Sequence, residues 1–366
     1  MKKDIFINQL KKLVAFETVT GNFDENSRAL DFVENLLPKN AFKQRFKNKN
    51  AEILVVSNTK SKSPDVGFLV HIDVVSGRSD QFKIVQKGEK LFGRGTSDMK
   101  FSIPIGVSLL NDLIEKKSKL SFSLAITTDE ETGGYEGVTF LANKIKFQPK
   151  CLIVPDGGEN LNFVDKSKGV CQVFVESKGA AAHASRPWMG KNALEPIVEL
   201  TNKLIKKYSK NNSNETWKTT MNIGIIQGGI STNQVCSSAL LKLDFRFPET
   251  ESAERIMKEI NSLAKGIKGN LTISAGSVGM PTFTDKNLPV VKEFLTAMKK
   301  AYGKTIIVKK TFGASDARHF APFNIPILMM KPLAGEMHSE DEWVSINSCM
   351  KFYEGLETFL ERIEKQ

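Results

Sequence analysis

Apolar positions follow two different periods along this chain. Three short apolar runs of strand length each break at a polar group. The stretch "VGFLVHIDVV" (66–75) is broken by His71 and Asp73, "SLAITTDEE" (123–131) ends in three acids, and "KCLIVPDGG" (150–158) carries Asp156. Unbroken apolar runs of this length suit strands buried on both faces. Between them lies helical periodicity. Residues 101–115 read as a helix that tolerates Pro104 in its first turn, and Ile5, Leu10, Leu13 and Val14 fall roughly on one face of an N-terminal amphipathic helix. Strands alternating with helices predict an α/β fold with a mostly parallel sheet. Ligands of such sheets gather at the carboxyl ends of strands, where His71 and the acids fall.

After about residue 160 the period changes. "VCQVFVES" (170–177) alternates apolar and polar residues, and a loop and a helix of about four turns follow. Next come the strands "MNIGIIQGG" (221–229) and "ALLKLDFRF" (239–247), a helix over 252–265 and the strand "NLTISAGSV" (270–278). Strand, helix, strand, strand, helix, strand is the pattern of a compact α+β unit of ferredoxin-like type. The first pattern returns with a helix over 290–302, the turn "FGASDAR" (312–318), the strand "PILMMKP" (326–332) and a long C-terminal helix. The organisation expected is a first domain built from 1–167 and 280–366, with 168–279 inserted.

Composition changes this picture little. At 366 residues and 40% hydrophobic content the chain suits two packed domains. Its net charge of +11 comes from scattered lysines, without basic runs interleaved with aromatics, so nucleic acid is not an expected partner. No apolar run approaches the ~20 residues of a membrane span. Cys151, Cys171, Cys236 and Cys349 are widely spaced with no CxxC pair, which argues for reduced thiols in a cytoplasmic protein.

Chemistry enters at Asp129, Glu130 and Glu131. Three adjacent like charges repel; they are either a solvated loop or part of a site whose divalent cation turns repulsion into attraction. If the strand continues through them, Glu130 and Glu131 point to opposite sides. His71 and Asp73, two apart on an extended strand, share a side, so one can bind metal while the other orients it. Asp98 follows two glycines in "FGRGTSDMK" (92–100), where the backbone can bend toward an ion. Of the four histidines, His319 is read as structural.

In chain order, His-x-Asp, Gly-Arg-Gly-x-x-Asp, Glu-Glu, Pro-Asp and a late histidine resemble the M20 family of metallopeptidases and amidohydrolases. That family includes carboxypeptidase G2-like enzymes, aminoacylases, acetylornithine deacetylases and succinyl-diaminopimelate desuccinylases. The resemblance spans nearly the whole chain. It implies two divalent metal ions. His71 and Asp156 hold the first and Glu131 and His338 the second, with Asp98 bridging both. It further implies Asp73 behind His71, Glu130 as general base, a cis peptide after Asp98, and His183 as oxyanion donor, often reaching across a homodimer. The inserted domain is then a lid and dimerisation domain. Zinc suits such a set, and cobalt or manganese would too. Substrate-binding candidates are Asn233, Arg246, whose guanidinium suits a carboxylate, and the backbone amides of Gly313, Ala314 and Ser315. Asp316 and Arg318 are expected to pair with each other, and Asp129 to be a helper or a solvated acid.

Several positions depart from the pattern: Phe101-Ser102 stand where the family usually carries Gly-Gly and Cys236 where proline is common, Asp156 where desuccinylases and acetylornithine deacetylases usually carry Glu, and Ala314 where desuccinylases have Thr. An aspartate at the fifth ligand leans toward aminopeptidases and dipeptidases. The expected function is cleavage of a peptide bond, in a dipeptide or at a terminal residue, beside a free carboxylate. N-acyl amino acid deacylation is the alternative, and an inactive binding protein on the same fold is a third reading.

Overall fold

The continuous apolar runs become the centre of a mixed sheet. The computed structural model describes residues 1–213 and 215–366, the side chain of Asn160 excepted. The chain divides into one unit of Met1–Lys166, Phe283–Thr311 and Ser315–Gln366, and another of Ser167–Thr282 with Phe312–Ala314.

In the first unit the strands are β1 (Phe42–Asn48), β2 (Ala51–Ser57), β3 (Val66–His71), β4 (Phe122–Thr127) and β5 (Cys151–Val154). The sheet runs β1–β2–β4–β3–β5 and continues into the strand Ile327–Met329. The middle is parallel: β3 pairs with β4 and β5, and β5 with Ile327–Met329. β1 and β2 are antiparallel additions. Every residue of β3, β4 and β5 is buried, as strands covered on both faces must be.

Helix α1 (Lys3–Ala15) buries Phe6, Ile7, Leu10, Leu13 and Val14, while Ile5, placed on the apolar face by sequence, is exposed. α3 (Ser102–Glu115) opens with Pro104 in its first turn, as expected, and buries nine residues. Two features go beyond the sequence reading. They are α2 (Phe23–Asn35), which lies between α1 and β1, and the β1–β2 hairpin, whose edge strand is polar and largely exposed.

The second unit is an antiparallel sheet of β6 (Gly169–Lys178), β7 (Thr220–Gly228), β8 (Ser238–Phe247) and β9 (Asn270–Gly279), in the order β7–β8–β6–β9. Alternation decides its faces. Val173 and Val175 of β6 and Leu241, Leu243 and Phe245 of β8 are buried, each with polar or partly exposed neighbours. They form one core with Ile197, Leu200 and Leu204 of α4 (Leu194–Asn212) and with Ile256 and Ile260 of α5 (Ala253–Ala264). All four cysteines are free and buried. Among the described residues no helix is long and apolar enough to cross a membrane.

Candidate metal centre

The parallel strands deliver their polar ends to one place in the first unit. His71 is the last residue of β3 and is buried. Its Nδ1 lies 2.9 Å from the Asp73 carbonyl oxygen and 3.6 Å from Asp73 Oδ1. Its Nε2 lies 3.0 Å from Asp98 Oδ1. The other oxygen of that carboxylate, Oδ2, lies 3.0 Å from His338 Nε2. Glu131 Oε1 is 3.4 Å from the same His338 nitrogen. Two sets of ligand atoms result, each within 4.8 Å: His71, Asp98 and Asp156, and Asp98, Glu131 and His338. Asp98 belongs to both.

This donor set fits divalent ions. With Nδ1–H donating to the Asp73 carbonyl, the lone pair of His71 Nε2 faces an Asp98 oxygen. Two acceptors 3.0 Å apart need a proton or a cation between them. The protein's electrostatics respond accordingly. Burial opposes a charge on His71, but the bonds to Asp73 and Asp98 raise its pKa well above the ordinary value. Asp98 and Glu131 push His338 up to about 10. Burial works against the Asp98 charge, yet His338 and His71 hold its carboxyl well below the usual range. Burial and the neighbouring Asp98 push Asp156 up to about 6. Among the described residues Glu131 Oε1 is buried and accepts no hydrogen bond, its approach to His338 Nε2 at 3.4 Å aside, and a buried acceptor of that kind calls for a ligand.

The turn carrying Asp98 is clamped by a residue that sequence reading missed. Glu342, fully buried, accepts from the backbone amides of Gly95 (3.1 Å), Ser97 (2.8 Å) and Asp98 (3.1 Å) and pairs with Arg94 at 2.7 Å. Arg94 also reaches the His338 carbonyl at 3.4 Å, so this pair ties the Asp98 turn to a histidine 240 residues away in sequence. Gly95 has φ +81°, and a Cβ there would meet Val74 Cγ1 at 2.8 Å. The Asp98–Met99 peptide is cis. Next to it, the buried Lys100 donates to the carbonyls of Leu13 and Phe16 and anchors the turn to the end of α1.

The acid cluster differs from its sequence reading. β4 stops at Thr127, and Glu130–Thr132 form a single 3₁₀ turn. The two glutamates are therefore separated by a turn and not by strand alternation. Asp73 shapes it: its Oδ1 accepts from the Glu130 amide, and its Oδ2 from the Glu131 amide and Thr20 Oγ1. Asp129 is buried, not solvated, and accepts from the amides of Glu136 and Gly137. Gly134, at φ +65°, leaves room for Asp316, whose Oδ1 a Cβ would meet at 2.1 Å. Arg318 donates to the Gly133 carbonyl at 2.6 Å and lies 4.0 Å from Glu130, so it braces the acid turn and forms no ion pair with Asp316. His319 bonds Thr139 Oγ1 and the Gly133 carbonyl, a structural role. Burial, then Asp316, raise the pKa of Glu130 well above that of an ordinary glutamate.

The sequence pattern described as peptidase family M20/M25/M40 matches residues 67–362. The chain belongs to this family. Its members are metal-dependent hydrolases, and the chain is an M20 family hydrolase. Curated relatives include the succinyl-diaminopimelate desuccinylases of Rickettsia bellii (strain OSU 85-389), 26% identical with 96% of this chain and 95% of the relative covered, and of Sulfurovum sp. (strain NBC37-1), 24% identical with 95% and 96% covered. Among solved structures, a tripeptidase from Staphylococcus aureus matches with a TM-score of 0.81 at 20% identity, covering all of both chains. That likeness is one of fold, and the fold is the M20 one.

The remaining candidates of this M20 chain lie apart from the candidate metal ligands in sequence. In the second unit His183 is exposed and its Nδ1 contacts Ser185 Oγ at 2.8 Å. The Asn233 carbonyl accepts from the Ala184 amide at 2.9 Å, so the two candidates share a loop region. Arg246 is already engaged by Asp244, at 2.7 and 3.3 Å. Gly313 and Ala314 belong to the second unit, and Ser315, buried, to the first.

Proposed function

We propose that this M20 hydrolase is a co-catalytic enzyme holding two divalent metal ions, and that it cleaves a peptide bond of a dipeptide or terminal residue beside a free carboxylate. One observation carries the reading: the two oxygens of Asp98 each face a histidine Nε2 at 3.0 Å, with a further acid on either side. His71, Asp98 and Asp156 would hold one ion, and Asp98, Glu131 and His338 the other. Zinc suits this set, with cobalt or manganese as alternatives. When bound, the ions acidify water and polarise a carbonyl oxygen.

The chain's own residues do the rest. Glu130 belongs to neither ligand set, and its raised pKa suits it to take a proton from the attacking water and return it to the leaving nitrogen. Asp73 keeps ligand and base in register, because it contacts His71 and the amides of Glu130 and Glu131. His183 is the donor to the developing oxyanion. Asn233, Arg246 and the amides of Gly313, Ala314 and Ser315 are the substrate-binding groups. The inserted segment, 168–279 between 1–167 and 280–366, serves as lid and homodimer surface.

N-acyl amino acid deacylation is a second reading, favoured by the desuccinylase relatives. A panel of dipeptides and N-acyl amino acids, assayed with added zinc, cobalt or manganese, decides between them. Dipeptide turnover at least tenfold above that of N-acyl amino acids is expected. The reverse order would establish the deacylase, and no turnover of either class would reject both.

A further inference from the structure

Buried cations around the metal centre have oxygen partners, with one exception. Arg94 donates to Glu342, Lys100 to two backbone carbonyls and Arg318 to the Gly133 carbonyl. Lys331, two residues beyond the strand Ile327–Met329, is 4% exposed. Among the described residues its hydrogen-bond contact is the Met337 thioether at 3.9 Å, a weak acceptor, and it forms no ion pair. A buried ammonium without an anion is unfavourable unless something else meets it.

Position says what that is. Lys331 reaches the segment that carries His338. Its tip touches Met337, which is 43% exposed and precedes the ligand His338, so the ammonium lies under the surface beside the centre and not in the apolar core. Once Asp98, Asp156 and Glu131 are committed to divalent ions, their charge no longer compensates Lys331. The ammonium beside the centre is then left without a compensating anion. Arg246, the sequence's candidate for the substrate carboxylate, is by contrast already paired with Asp244.

We propose that Lys331 is a specificity-determining residue whose ammonium binds the free carboxylate of the substrate. This rests on the two-metal reading above. The test compares wild type, Lys331→Met and Lys331→Gln, each metal-loaded, on matched dipeptides with a free or an amidated C-terminus. Kinetics give the acid-over-amide preference, calorimetry the binding of the product amino acid and of its amide, and elemental analysis the metal per chain. A charge-assisted hydrogen bond is worth roughly tenfold or more in affinity. The acid preference should therefore shrink by about that factor through KM, and the product amino acid should bind more weakly by the same factor, with two ions per chain retained. An acid preference equal to wild type overturns the proposal. So does a fall in kcat shared by acid and amide, which assigns the ammonium to the oxyanion. So does a rise in metal content with the preference intact, which makes Lys331 a substitute cation. Should wild type cleave neither substrate class, the functional reading fails, and the calorimetric comparison still decides the role of Lys331.

Discussion

At the residue scale, function and fold place opposite demands on Asp98. Its carboxylate is shared between His71 and His338, and its backbone amide is held by Glu342. The candidate ligands His71, Glu131 and Asp156 were legible in the sequence as polar interruptions at the ends of apolar runs, and Asp98 and His338 only through the ordered set of motifs. Glu342 was not, because in "SEDEW" (339–343) it sits in an acidic run that reads as solvated. Glu342→Gln keeps the shape and removes the charge that clamps Asp98 and Arg94. Metal affinity should fall roughly 10- to 100-fold, as for other residues that orient ligands, and competition with a chromogenic chelator measures it. An unaltered affinity would show that the clamp is not needed. Glu130→Gln should lower kcat by at least about 10²-fold while both ions stay bound. If the variant loses metal instead, Glu130 and Glu131 exchange roles.

Elements explain how such distant residues meet. Strand ends were readable from the period of apolar residues, and β3, β4 and β5 stop within two to four residues of their functional groups. The path between Thr127 and Gly134 was not readable, because it depends on contacts from Asp73, Arg318 and His319 far along the chain. α2 and β1 escaped for a related reason: their polar, exposed faces weaken the periodic signal. His319 offers a measurable handle on the acid turn. Burial and the nearby Arg318 push its pKa down to about 4 from 6.5, against the bond to the Gly133 carbonyl. The unfolded chain therefore takes up this proton first as pH falls, and the stability contributed by neutral His319 is lost between about pH 6.5 and 4. Melting temperature should drop less between pH 7 and pH 5 for His319→Gln than for wild type. Equal drops would mean that His319 titrates normally in the folded protein.

For the whole molecule, the M20 fold follows from patterning, and the proposed homodimer has a candidate surface at a sheet edge. β7 ends the second unit's sheet and exposes Ile225 (43%) and Ile226 (49%). Apolar edge strands invite pairing with another chain. If the inserted unit carries the homodimer surface, wild type should sediment as a dimer and Ile226→Lys as a monomer. A wild-type monomer at all concentrations would remove the dimer from the account.

The central claim is a pair of ions bridged by Asp98, and metal stoichiometry with titration calorimetry tests it most directly. Wild type should bind two divalent ions per chain. His338→Ala should keep one, bound by His71, Asp98 and Asp156, and Asp98→Ala should hold neither tightly. One ion per chain in saturated wild type, or two tight ions in Asp98→Ala, would contradict the two-metal centre.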